Sequence, residues 1–197
     1  YNSLGSNTTG ERNIAIGEDA LSVLTTASDN IAIGHDAMDA VNTSANTAIG
    51  RSSLSALSTG AAQTAIGYFS GLSATTGTHN VYVGNDAGRS VTTGGESIHI
   101  GSNSGYYATT GSRNVSLGAF AMKKAKVTDN DRIAIGTRAM EASAQTTGNS
   151  YQSIAIGSYA MRNNVNTTGG WNDSIAIGHY AAEFGSATTS NHSHNIA

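Results

Sequence analysis

The sequence predicts an all-β repeat protein, a β-solenoid of about eleven stacked coils whose length varies from 16 to 21. Two observations carry the prediction. A tetrapeptide of the type Ile-Ala-Ile-Gly, first met as Ile14-Ala15-Ile16-Gly17, returns ten times in 197 residues. Its glycines are Gly17, Gly34, Gly50, Gly67, Gly84, Gly101, Gly118, Gly136, Gly157 and Gly178, and the successive intervals are 17, 16, 17, 17, 17, 17, 18, 21 and 21. The composition is the second: 24 glycines, no proline or cysteine, and only 12% charged residues, with Ser, Thr and Asn filling the gaps between short apolar runs. Such a chain lacks the long Glu-, Lys- and Leu-rich stretches of a helix bundle.

Counting from each motif glycine, position −4 is usually Asn or Ser, as in Asn13, Asn30, Asn46, Asn80, Asn114, Ser97, Ser153 and Ser174. Positions −3 and −1 are mostly β-branched and position −2 is small, so the strand is three residues long with a period of two. The glycine allows a backbone angle that a side chain forbids, or a close approach of neighbouring coils. Position +4 is often Leu or Met (Leu21, Met38, Leu54, Met122, Met140, Met161), read as a second short semi-apolar segment able to form a brief helical turn. A Thr-Thr-Gly turn often follows, as at Thr8-Thr9-Gly10 and Thr75-Thr76-Gly77. Asn at −4 has two readings: turn chemistry before a strand, or an internal ladder of side-chain amides bonded from coil to coil.

No unit has enough apolar mass to fold alone, whereas stacked units bury a continuous core. With about 4.8 Å between paired strands, eleven coils make a rod of roughly 50 Å. The chain reads as a single repeat array over 1–197. Shorter coils, with a period of about 17, run to 136, and longer ones, with a period of about 21, occupy 137–197. Tyr1-Asn2-Ser3-Leu4 aligns with Glu18-Asp19-Ala20-Leu21, and Asn195-Ile196-Ala197 stops inside a motif. This predicts a fragment of a longer fibre.

The alternation also predicts assembly. Two isoleucines face one way and the alanine the other, and both faces look crowded. The Ile layer is assigned to one buried face and the Ala layer to a second, covered by another copy of the chain. The expected assembly is a homotrimer. Exceptions to the motif support shared layers: Tyr82, His99 and Ser116 replace Ala at −2, while Gly71, Gly88 and Gly105 replace the large residue at +4 of the preceding repeats. His99, lacking any partner set, reads as a satisfied packing residue.

Runs such as Asn-Ile-Ala-Ile-Gly-Glu-Asp-Ala-Leu (13–21) and Ser-Ile-Ala-Ile-Gly-Ser-Tyr-Ala-Met (153–161) resemble the head repeats of trimeric autotransporter adhesins. Similar repeats with longer coils occur in bacteriophage tail fibres. The resemblance covers nearly the whole chain. It implies a left-handed parallel β-roll that trimerises side by side, an extracellular location on a virion tail fibre or a bacterial surface, and attachment to a host glycan or protein. The coils here exceed the adhesin length, which points toward the phage-fibre variant. The resemblance is specific for architecture and weak for ligand, because the repeats are scaffold.

Recognition would then come from what varies between repeats. The longer coils add Asn149-Ser150-Tyr151-Gln152, Gly170-Trp171-Asn172-Asp173 and Asn191-His192-Ser193-His194. Tyr151, Trp171, Asn172, Asp173 and His192 are candidates for a glycan-binding strip, with rings stacking on pyranoses. Alternatively, these side chains fold over their own loops or fill subunit grooves. His192 and His194 share a face in a strand, so three copies would offer six imidazoles to a transition metal. No other cofactor is expected. The acidic residues after the corner, at Glu18-Asp19, His35-Asp36 and Asn85-Asp86, are too sparse for repeated calcium sites and read as solvated corners.

The formal charge of −3 without a basic patch argues against nucleic acid. No apolar run approaches the roughly 18 residues that a membrane-spanning helix needs, so no membrane insertion is expected of this segment. No Ser/His/Asp constellation, carboxylate pair or phosphate loop stands out, and an enzyme is not expected. An alternative of another class is an ice-binding solenoid using the Thr rows. It needs flat, regular spacing, against which stand the changing coil length and the lapses at Ala45, Ala62 and Asp129.

Overall fold

The computed structural model describes residues 2–124, 130–142, 152–163 and 174–183. Each motif forms one three-residue strand: β1 (Ile14–Ile16), β2 (Ile31–Ile33), β3 (Thr47–Ile49), β4 (Thr64–Ile66), β5 (Val81–Val83), β6 (Ile98–Ile100), β7 (Val115–Leu117), β8 (Ile133–Ile135), β9 (Ile154–Ile156) and β10 (Ile175–Ile177). They stack in chain order as one ten-stranded parallel sheet, the wall of a β-solenoid. Each motif position pairs with itself in the next coil, as in Ile14 with Ile31, Ala15 with Ala32 and Ile16 with Ile33. The register survives the change to longer coils, where Ile133 pairs with Ile154 and Ile154 with Ile175. No helix occurs among the described residues, and none is long and apolar enough to cross a membrane.

The glycine corner needs both properties expected of it. Gly17 sits at φ +127°, and a Cβ there would lie 2.5 Å from the carbonyl oxygen of Gly34. The motif glycines therefore form a column in which each backbone rests on the next.

After the corner, tandem β-turns replace the expected semi-apolar segment and its brief helical turn. Ala20 N–H bonds to Gly17 C=O and Leu24 N–H to Leu21 C=O, both at 3.3 Å. Asp19 (φ 56°) and Leu21 (φ 52°) adopt left-handed angles, which stop helix growth. Asp tolerates that region, but Leu and Met at +4 do not favour it. Each such residue costs about 1–2 kcal/mol. Complete burial of a Leu or Met side chain stabilises by about 1.5–3 kcal/mol and outweighs the strain. Leu21, Met38 and Leu54 are all fully buried.

These turns decide which face of the strand is inside. Ala32, Ala48, Ala65, Ala134, Ala155 and Ala176 point into the coil and pack with the +4 side chains in one core. The isoleucines point outward: Ile16 is 59% exposed and Ile177 61%. The expected assignment is thus corrected. The Ala layer is the coil's own interior, because the closely spaced walls admit little more than a methyl group opposite Leu or Met. The layer left facing outward is the Ile layer.

The exceptions to the motif behave as expected. A Cβ on Gly88 would lie 2.2 Å from Tyr82 Cδ1, one on Gly71 2.7 Å from Tyr82 Cδ2, and one on Gly105 2.3 Å from His99 Nδ1. The tyrosine ring fills the space vacated at +4 on both sides.

Of the two readings of position −4, the ladder is the one observed. The Asn13 side-chain oxygen accepts from Asn30 N–H, Asn30 from Asn46 N–H, and Asn46 from Gln63 N–H, at 3.0–3.1 Å. Ser97 continues it, its hydroxyl accepting from Asn114 N–H at 3.1 Å. The amide nitrogens reach sideways, as when Asn80 donates to Gly94 C=O at 2.8 Å. One row of side chains thereby ties the strand wall to the Thr-Gly turns.

Candidate functional site: an aromatic corner strip

The loop candidates Tyr151, Trp171, Asn172, Asp173, His192 and His194 all lie outside the described residues. Among the described residues, no group of three or more His, Asp or Glu side chains could hold a metal. The motif glycines are structural, as set out above.

Three first threonines of the turns are occupied within the solenoid, while the buried Thr109 hydroxyl has no hydrogen-bond partner. Thr8, Thr75 and Thr92 each donate their hydroxyl to a carbonyl one coil on, at 3.0–3.1 Å. That accounts for their recurrence without a surface ligand.

One Ser/His pairing escaped the sequence reading. His99 Nδ1 lies 2.6 Å from Ser116 Oγ, which in turn lies 2.6 Å from Ser104 Oγ. Stacking brings these residues of adjacent coils together, so His99 does have a partner set on one ring nitrogen. All three residues are fully buried. Burial pushes the His99 imidazole down to about 4 and holds it neutral. Its Nε2 and the hydroxyl of the stacked Tyr82 find no hydrogen-bond partner. This group is interior packing, withdrawn from any substrate.

The exposed chemistry lies at the corner, at positions +1, +2, +5 and +6. In the first three coils position +2 is Asp19, Asp36 and Ser52, residues suited to its left-handed backbone. From the fourth coil onward, aromatic and cationic side chains enter: Phe69, Phe120, Arg138, Tyr159 and Tyr180 at +2 take φ of 56–63°. A bulky residue held at such an angle is strained by about 1–3 kcal/mol; closure of the coil imposes this angle at +2 and +4 of every repeat described.

Neighbouring coils interleave these side chains. The Arg89 guanidinium stands 4.8 Å from the Phe69 ring centre and 5.7 Å from that of Tyr106. Arg138 bridges Phe120 and Tyr159 at 5.2 and 6.0 Å, and Arg162 covers Tyr159 at 4.9 Å. Tyr159 and Tyr180 stack with centres 4.8 Å apart. Carboxylates neutralise the guanidiniums: Arg89 meets Asp86 at 2.8 Å, Arg138 meets Glu141 at 3.4 Å, and Arg162 meets Glu141 at 3.1 Å and Glu183 at 3.5 Å. Tyr68, Tyr107 and Tyr180 remain nearly half exposed.

The sequence does contain the signal for this strip. It appears only when the repeats are aligned on their glycines and positions +2 and +5 are read down the stack, instead of in the lengthened loops. Comparison of the chain with protein-family models, with curated proteins and with solved structures finds no match.

Proposed function

We propose that the chain is a structural and adhesive segment of an extracellular homotrimeric fibre, a bacteriophage tail fibre that mediates attachment to the host cell surface. The observation that supports this reading most is the outward Ile face. It runs from Ile14 and Ile16 through Ile49, Ile66, Ile98 and Ile100 to Ile177, all more than a third exposed. Parallel sheets ordinarily have both faces covered, and an exposed apolar row of this kind marks an interaction surface. A second copy carries the same face at the same pitch. Closed cyclic symmetry would cover it in every subunit. The motif resemblance to trimeric adhesin heads and phage fibres points the same way, and the long coils favour the fibre. The solenoid gives reach and stiffness, and its varying corners are left to meet the host.

The test is sedimentation of the native chain beside Ile33→Asp. The native chain is expected to sediment as a trimer at micromolar concentration. The charged substitution faces outward from the coil, so it is expected to dissociate the trimer at least tenfold more readily. A folded, stable native monomer under these conditions overturns the proposal.

A further inference from the structure

We infer that the aromatic corner strip between Tyr68 and Tyr180 is a binding surface for a linear, electrically neutral polysaccharide lying along the solenoid axis. This deepens the adhesive part of the function proposed above by naming the ligand class and the residues that take it.

Three observations lead there. The first is geometry. Consecutive coils repeat about every 4.8 Å, close to the length of one sugar unit, and the rings and guanidiniums succeed one another along that direction at 4.8–6.0 Å. A polymer with a similar repeat meets two such runs in line, Phe69–Arg89–Tyr106 and Phe120–Arg138–Tyr159–Tyr180. A globular protein partner gains nothing from such a periodic line.

The second is charge. The guanidiniums of Arg89, Arg138 and Arg162 are each paired with a carboxylate of the same strip. A polyanion would have to displace those carboxylates, whereas a neutral sugar does not. Its axial C–H groups suit the exposed ring surfaces of Tyr68, Tyr107 and Tyr180, and its hydroxyls suit carboxylate and guanidinium edges left at the rim.

The third is strain combined with rigidity. Phe69, Phe120, Tyr159 and Tyr180 occupy a left-handed position filled in the first coils by Asp or Ser. The rings are held against guanidiniums or other rings, so little side-chain freedom remains to be lost on binding.

The experiment is affinity electrophoresis of the intact chain in gels containing dextran, galactomannan or mixed-linkage β-glucan, with heparin as the anionic control. Native protein is expected to be retarded by at least one neutral polymer and not by heparin. Tyr68→Ala/Tyr107→Ala/Tyr180→Ala is expected to weaken that retardation at least tenfold, and the matching triple Phe variant to retain most of it. Circular dichroism confirms folding, and Tyr107→Ala alone, at an exposed ring, is expected to lose about threefold.

Retardation by none of the neutral polymers, by heparin alone, or equally with and without the three rings overturns the inference. So does dissociation of the oligomer by the triple Ala variant, which would place the rings in a subunit interface. Sedimentation of the same samples separates the two proposals. A native monomer that binds glycan removes the fibre reading and leaves this one, and a trimer that binds none does the reverse.

Discussion

The interior is built in two ways. In the early coils a methyl group on the strand wall faces a large side chain on the turn wall, as with Ala32 or Ala48 in the same core as Met38 and Leu54. In the middle coils the distribution reverses: Tyr82 and His99 project from the strand, and Gly71, Gly88 and Gly105 make room on the turn. Bulk added on one wall is met by room on the other, so the same thin coil closes around both. Polarity is not conserved. The Ala/Met arrangement buries only carbon and sulfur, whereas the reversed one leaves Tyr82 Oη and His99 Nε2 without partners. Packing density sets what the interior must contain, and hydrogen bonding is sacrificed where the two conflict.

The largest effect is predicted where the reversal is broken. Gly88→Leu puts a side chain into the Tyr82 ring, with the first atom at 2.2 Å. The left-handed angle of φ +59° adds strain. Overpacking costs about 1–3 kcal/mol in ordinary cores. A contact this short inside a two-walled coil should exceed that and unfold the middle coils. Adding Tyr82→Ala is predicted to restore the early-coil arrangement and recover most of the loss. Thermal melts of the single and double variants check this, and an additive double mutant would refute the exchange of bulk between the two walls.

The next effect is a pH dependence confined to the reversed region. The His99 pKa is lowered by burial from 6.5 to about 4. As pH falls from 6.5 to about 4, the unfolded chain takes up a proton that the folded chain refuses. Stability from this group is therefore full above pH 6.5 and lost on the way down to about pH 4. Over that window the predicted loss is about 3 kcal/mol. Denaturant midpoints at neutral pH and near the lowered pKa should show it in the native chain and lose that component in His99→Leu.

The smallest effect tests what the two regions share. The ladder at −4 passes through both, carried by Asn46 in one and Ser97 in the other. Asn46→Ala leaves the buried N–H of Gln63 unpaired and frees the turn carbonyls of Thr43 and Ser44. A cost of about 2 kcal/mol is predicted. Ser97→Ala removes the acceptor of Asn114 N–H and one sideways bond, the hydroxyl's donation to Gly95 C=O at 3.2 Å, with a predicted cost of about 1 kcal/mol. Equal costs would show that the additional sideways bond of the amide contributes nothing.

Much of this architecture is legible in the residues. The recurrence of Ile-Ala-Ile-Gly locates every strand among the described residues, and the parallel in-register stack follows from it. The exchange of Gly88 for bulk at Tyr82 predicts a shared layer, because complementary deviations in neighbouring repeats have no other simple origin. The tandem turns were harder to see. Leu and Met at +4 carry no preference for left-handed backbone, and only closure of the coil imposes it. The corner strip was hidden for another reason: its members sit a full coil apart in the chain, scattered among repeats in which the same positions are Asp, Asn or Ser.

The sequence alone determined the period, the strand, the corner and the need for stacking, since each follows from a local preference repeated ten times. It could not determine which side of the strand is inside. Alternation says that neighbours point opposite ways and is unchanged if inside and outside are exchanged. The sign came from closure. Two left-handed turns bring the opposite wall so near that alanine fits and isoleucine does not, and the Ile layer is left facing outward.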